Sequence, residues 1–126
     1  MRILRRLPFA PMPAPFVPDA LVDAVARRLR LLGDPTRLRL LNALRAHGEL
    51  SVQALMDETG LKQANVSKHL GMLAREGLVA RRAVGTHAYY SVAEASITGV
   101  TLLVVSSLRA AGDAAGETAG DAGEAS

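Results

Sequence analysis

The sequence predicts an α+β domain, mainly α, made of five helices and a two-stranded β-hairpin. Three observations carry this. Apolar residues recur at helical spacing along most of the chain and switch to a period of two only between Leu78 and Val92. Aromatics are 3% with no Trp, so the core must be Leu, Val and Ala, which suits packed helices better than a β-sandwich. Glycines or an Asp-Pro step stand at the joints between the periodic stretches. At 126 residues, 49% hydrophobic and 21% charged, the chain has room for one ordinary core.

The first helix is expected from about Asp19 to Leu32, where Leu21, Val25, Leu29 and Leu32 form one stripe and Gly33 ends it. Asp34 then caps a second helix with Pro35 at its first position; Leu38, Leu41 and Leu44 stripe it and Gly48 closes it. A short third helix runs from its cap Ser51 to about Thr59, burying Val52, Leu55 and Met56, and Gly60 makes a tight turn. The fourth spans about Lys62 to Glu76, with Val66, Leu70 and Leu73 inward, and stops at Gly77. Leu78–Val84 and His87–Val92 read as strands around a Gly85-Thr86 turn. The last helix covers about Ala93 to Ala110. Ile97, Val100, Val104 and Leu108 stripe it, while Leu102, Leu103 and Val105 widen its apolar surface beyond what one small domain can cover. That points to an oligomer interface.

The ends differ from this body. Residues 1–17 carry Arg2, Arg5 and Arg6 like a signal peptide, but Pro8, Pro11, Pro13 and Pro15 break the apolar run, so a Pro/Arg-rich flexible arm is expected. Residues 112–126 are Gly, Ala and four acids with almost nothing else, which predicts a disordered acidic tail. The folded domain is expected over residues 18–111. It holds 12 basic and 8 acidic groups, a balance that the tail masks in the whole-chain charge of +3 and that favours a polyanionic partner. No run approaches 18 uninterrupted apolar residues, so no membrane span is expected. The chain has no cysteine, which removes disulfides, thiolate metal sites and thiol redox sensing. It also shows no phosphate loop, paired catalytic carboxylates or activated nucleophile, so no enzyme and no cofactor are expected.

Two short helices joined at a glycine turn, the second with a polar outer face, form a helix-turn-helix pattern. With Val66 inward, Ala64, Ser67, Lys68, Gly71 and Arg75 point outward, at 100° per residue. Gln63 and Asn65 flank the exposed start. Gln63 and Asn65 can bond adenine in two places and Ser67 can bond either base class, while Ala64 and Gly71 permit close approach. Lys62, Lys68 and Arg75 seek phosphate. His69 lies nearer the core and reads as a packed structural histidine. Arg81 and Arg82 on the following hairpin form a basic wing that can hold the backbone while the helix reads bases. Strand alternation sends the two to opposite faces, and Arg82 is favoured for the closer DNA contact.

LGDPTRLRLL at Leu32–Leu41 and NVSKHLGMLAREGLV at Asn65–Val79, followed by the hairpin from Gly85 to Tyr89-Tyr90, resemble the ArsR/SmtB family of winged-helix repressors over about residues 20–108. The resemblance implies a winged helix-turn-helix homodimer built through its first and last helices, with Leu21, Val25, Ile97, Val100, Val104 and Leu108 at the interface. It implies a cytoplasmic repressor with the fourth helix in the major groove of a pseudo-palindromic operator. Many family members release DNA on binding metal. This chain departs from that pattern: ELSVQAL at Glu49–Leu55 has Ser51 and Gln53 where one branch has thiolates, and Ala93–Ala111 holds no His and only Glu94 where another binds zinc. His47, His69 and His87 share no ligand spacing, so no metal is expected. Lys62 stands where the family often has a capping serine, and Thr86 where the wing tip is often basic. Two other readings stay open: a sensor of an organic ligand between the first and last helices, and a winged-helix protein–protein module without DNA binding.

Overall fold

A computed structural model describes residues 16–125, with side chains through residue 114. All but the last two residues of the expected N-terminal arm lie outside the described residues. A single 3₁₀ turn at Asp19–Leu21 leads into α1 (Val22–Leu32), followed by α2 (Pro35–His47), β1 (Glu49–Ser51), α3 (Val52–Thr59), α4 (Gln63–Arg75), β2 (Val79–Val84), β3 (His87–Val92) and α5 (Ala95–Ala125).

The caps follow sequence chemistry. Asp34 accepts a 3.0 Å bond from the Arg37 backbone N–H, which satisfies one orphan donor of α2, and Pro35 occupies the first helical position. Ser51 Oγ does the same for the Ala54 N–H at 3.1 Å. At Gly60 the chain turns with φ +73°, a left-handed conformation that disfavours a side chain, and its N–H closes α3 on the Met56 carbonyl at 2.8 Å. Thr59 tightens the same turn: its Oγ1 donates to the Leu55 carbonyl and accepts from the Leu61 N–H.

The core is one cluster of Leu31, Leu32, Leu40, Leu41, Leu44, Leu55, Val66, Leu70, Leu73, Leu78, Val79 and Ile97. Leu, Val and Ile alone build it, in keeping with the aromatic-poor composition. On α2 the stripe is wider than expected: Leu40 is fully buried beside Leu41 and Leu44, whereas Leu38 is half-exposed. On α1 only the C-terminal end is buried, through Leu31 and Leu32; Leu29, and Leu21 in the turn before the helix, are exposed.

The hairpin is not free-standing. β1, too short for a period of two to be visible, pairs antiparallel with β3, giving a three-stranded sheet in the order β1-β3-β2. Leu50 of β1 and Tyr90 and Val92 of β3 pack on the core, so the wing is rooted in the domain.

The backbone of the C-terminal part departs from expectation. The backbone is helical to Ala125 where an unstructured tail was expected from Gly112. Alanine is the strongest helix former and no proline interrupts the segment, so scattered glycines do not stop it. Ala95–Ala114, with a mean hydropathy of 1.4, is long and apolar enough to cross a bilayer by length and composition alone, although Arg109 and Asp113 lie within it.

Candidate nucleic-acid interface

α4 is held by its inner face. Val66, Leu70 and Leu73 are fully buried, and the helix packs against α2, α3 and β2. This orientation leaves Gln63, Ala64, Asn65, Ser67, Lys68 and Arg75 exposed, as the 100° projection expects. Gly71 is half-exposed, and a Cβ there meets no atom within 4 Å, so packing inside the chain does not demand a glycine at this position. Lys62 occupies the N-cap position with extended backbone and no side-chain cap bond. The first N–H groups of α4 therefore lack a side-chain cap and form the positive end of the helix dipole.

The wing arginines are not equivalent. Arg81 is opposite Tyr90, on the face that Leu50 and Tyr90 turn to the core; Arg82 is opposite Tyr89 on the outer face. From there Arg82 reaches across β3 to Glu49 of β1, donating from Nε at 2.9 Å and from an Nη at 2.7 Å in a fork to the two carboxylate oxygens. Its guanidinium also lies 5.4 Å from the Tyr89 ring centroid. The Arg82 hydrogen bond holds the Glu49 carboxyl below its usual range, and the same contact raises Arg82 above its ordinary value. In the protomer the Arg82 charge is thus matched by Glu49 across the exposed face of the sheet. Arg81 is exposed and makes no ion pair among the described residues. Glu49 escaped the sequence reading because nothing local marks it: β1 meets β3 only through a pairing some 40 residues away in the chain.

Arg37 escaped it too. It stands in the first turn of α2, where an exposed basic side chain is ordinary. Instead its Nε donates to the Leu31 carbonyl at 2.8 Å, and its Nη1 lies 3.4 Å from both His69 Nδ1 and Met72 Sδ of α4. His69 is half-buried, in line with a packed structural role.

A family model described as a helix-turn-helix domain matches residues 32–82, from the end of α1 through most of β2. Over 82 residues the chain is 32% identical to an HTH-type transcriptional regulator of Methanocaldococcus jannaschii, covering 65% of this chain and 92% of that one. It is 36% identical over 87 residues to a probable mercury resistance operon repressor of Streptomyces lividans, covering 69% of each. The solution structure of a homodimeric winged helix-turn-helix DNA-binding domain from Mycobacterium bovis, a possible ArsR-family transcriptional regulator, superposes with a TM-score of 0.63 at 33% identity, covering 76% of this chain and 91% of that one. The chain belongs to the ArsR/SmtB family.

Metal sensing by ArsR/SmtB proteins needs three or four converging N, S or O ligands. Ser51 and Gln53 are poor ligands beside thiolates. Ser51 Oγ caps α3, and Gln53 Nε2 donates to Asp57 on the same helix. Among the described residues no three His, Asp or Glu side chains converge. His47 pairs with Glu58 at 3.3 Å, His69 with Arg37, and His87 lies at the start of β3.

The expected interface residues of this ArsR/SmtB protein divide. Leu21, Val100, Val104 and Leu108 are exposed and Val25 is half-exposed. Ile97, at 4% exposure, is mostly taken up by the protomer's own core, with its remaining surface at the floor of the groove between α5 and the body. Beyond Ile97, α5 leaves the body and opens an apolar groove of about 530 Å³ with the end of α1 and with α2. Leu29, Leu38, Leu41, Val100, Val104 and Leu108 line it, together with Asn42 and Arg45.

Proposed function

We propose that this protein is a homodimeric, sequence-specific transcriptional repressor that works in the cytoplasm on a pseudo-palindromic operator without a metal effector. The observation that supports it best is the outer face of α4. Gln63, Asn65 and Ser67 stand exposed beside Lys62, Lys68 and Arg75, on a helix whose inner face is locked into the core. In this reading α4 lies in the major groove, Gln63, Asn65 and Ser67 read base edges, and Ala64 and Gly71 let the helix approach. Lys62, Lys68, Arg75 and Arg81 neutralise phosphate. Arg82 orders the wing rather than carrying it to the backbone.

The second copy covers the groove. In one protomer Leu102, Leu103, Val104 and Leu108 are open to solvent, and a contiguous apolar surface of this kind marks an interaction site. Arg109 and the intervening Ser106 and Ser107 suit a protein partner with a polar rim better than lipid. Symmetric pairing sets two α4 helices about one DNA turn apart, some 34–36 Å.

The test is a mobility-shift titration with the DNA upstream of the protein's own gene, with and without zinc, cadmium and arsenite. Specific retardation that no metal relieves is the expected result. Loss of binding at stoichiometric metal, restored by chelator, overturns metal independence, and absence of any sequence preference favours the protein–protein module. An organic ligand in the α2–α5 groove is the second reading, favoured by the groove's volume and apolar walls; it predicts that the ligand shifts the dimer equilibrium.

A further inference from the structure

Arg37 is the one described side chain that bonds both to α1 and to α4. Its Nε donates at 2.8 Å to the Leu31 carbonyl in the last turn of α1, where helix geometry leaves carbonyls without an intrahelical partner. Its Nη1 lies 3.4 Å from His69 Nδ1 and 3.4 Å from Met72 Sδ, on the inner side of α4. Arginine only donates, so His69 Nδ1 serves as the acceptor. The root of the side chain is fixed as well, because the Arg37 backbone N–H is the donor that Asp34 caps. A rigid, planar guanidinium anchored at its base and bonded in two directions holds a distance and an angle that a flexible lysine cannot.

We infer that Arg37 is a positioning residue that sets the angle between the dimer-forming α1 and the DNA-reading α4, and so the spacing of half-sites the dimer accepts. The inference rests on the dimeric DNA-binding reading above. Apart from Leu31 and Leu32 at its C-terminal end, which join the core, α1 is exposed along Val22 and Leu29, so few contacts fix its direction relative to α4. Its other described links to the far end of α4 are surface contacts from Arg27 at 3.9 Å and Arg28 at 3.4 Å to Glu76. In a two-fold dimer an error in this angle appears twice, as a change in the distance between the two reading helices.

The experiment measures affinity for a duplex selected by the wild-type protein from a random pool, and for the same duplex with one base pair inserted or deleted between half-sites. Wild type, Arg37→Lys, His69→Leu and His69→Asn are compared, with thermal midpoints recorded for each. Wild type should discriminate strongly between spacings. Arg37→Lys and His69→Leu should flatten that preference by about tenfold, the effect of losing one charge-assisted hydrogen bond. The salt slope should stay unchanged, because every phosphate-binding side chain is retained. His69→Asn, whose amide oxygen can replace Nδ1 as acceptor, should restore the preference. If Arg37→Lys does not fold, the two His69 variants decide, since they leave the Leu31 bond intact. A wild type that selects no sequence overturns the DNA-binding reading and this inference with it. A wild type that discriminates spacing, with variants that do so equally despite lowered midpoints, overturns this inference alone.

Discussion

The reading helix and the last helix use apolar residues in opposite ways. In 13 residues α4 buries Val66, Leu70 and Leu73 completely; in 31 residues α5 buries Ile97 alone among its described side chains. The reason is spacing. On α4 the large apolar residues fall four and three apart, so a single groove between α2, α3 and the sheet accepts them all. On α5 they occupy Leu102, Leu103, Val104 and Val105 in succession, and consecutive residues wrap around a helix instead of sharing a face. No single protomer surface can cover them. The protomer's stability therefore resides in helices like α4, while most of the apolar surface of α5 stays open.

The largest effect that could break this contrast comes from Val104→Asp. Val104 is 53% exposed in the protomer, so the fold should survive while the dimer does not. Burying an unpaired charge at an interface costs about 3–5 kcal/mol, and sedimentation should report a monomer or an aggregate. A clean dimer would put the interface elsewhere. Next, Leu70→Ala should lower unfolding free energy by about 2–5 kcal/mol through the cavity it leaves, whereas Leu103→Ala, at a position 73% exposed, should stay within about 0.5 kcal/mol in dilute, monomeric protein. Equal losses in denaturant titrations would erase the distinction.

Smaller effects sharpen the outer face of α4 against the wing. Gln63→Ala should weaken operator binding by about 1–3 kcal/mol and leave scrambled DNA nearly unaffected. Arg81→Ala should weaken both and reduce the log–log salt slope by about 0.9 for each phosphate left without its cation. Arg82→Ala should change that slope less, because Glu49 already neutralises the guanidinium. A salt titration in which Arg82→Ala has the larger slope change would restore Arg82 as the phosphate anchor. The smallest effect belongs to Asp34. The Arg37 N–H bond lowers its pKa below the ordinary 3.8, so its contribution to stability is present above about pH 4 and is lost as pH falls through the lower folded value. Asp34→Asn keeps a capping oxygen and should flatten the acid limb of the stability curve, as seen in thermal midpoints between about pH 2 and 5.

Local chemistry was legible in the sequence; distant pairing was not. The Asp34 and Ser51 caps, the Gly60 turn and the missing side-chain cap at Lys62 depend on neighbours within four residues, and each is where the sequence puts it. The outward set on α4 follows from one inward residue and the helical angle. Glu49, Arg37 and Ile97 depend on contacts between elements. A three-residue strand carries no period, an arginine in a first turn has no mark of burial, and the stripe on α5 does not say which of its residues the protomer keeps. The distinction between Arg81 and Arg82 was half legible: alternation separates their faces, but only the place of β1 beside β3 shows which face holds a carboxylate.

The order β1-β3-β2 has a consequence for how the protein behaves at high concentration. Both outer strands carry unpaired backbone groups along one side, which is where sheets of separate molecules join. On one border, β1 is only three residues long and offers little to extend. On the other, β2 is six residues, Val-Ala-Arg-Arg-Ala-Val, and Arg81 and Arg82 are its only charges. Replacing both with alanine leaves a small, uncharged, proline-free strand of alanine and valine on an open border, a pattern that favours edge-to-edge stacking. The double variant should therefore lose soluble material as its concentration rises, read by light scattering, where the wild type does not.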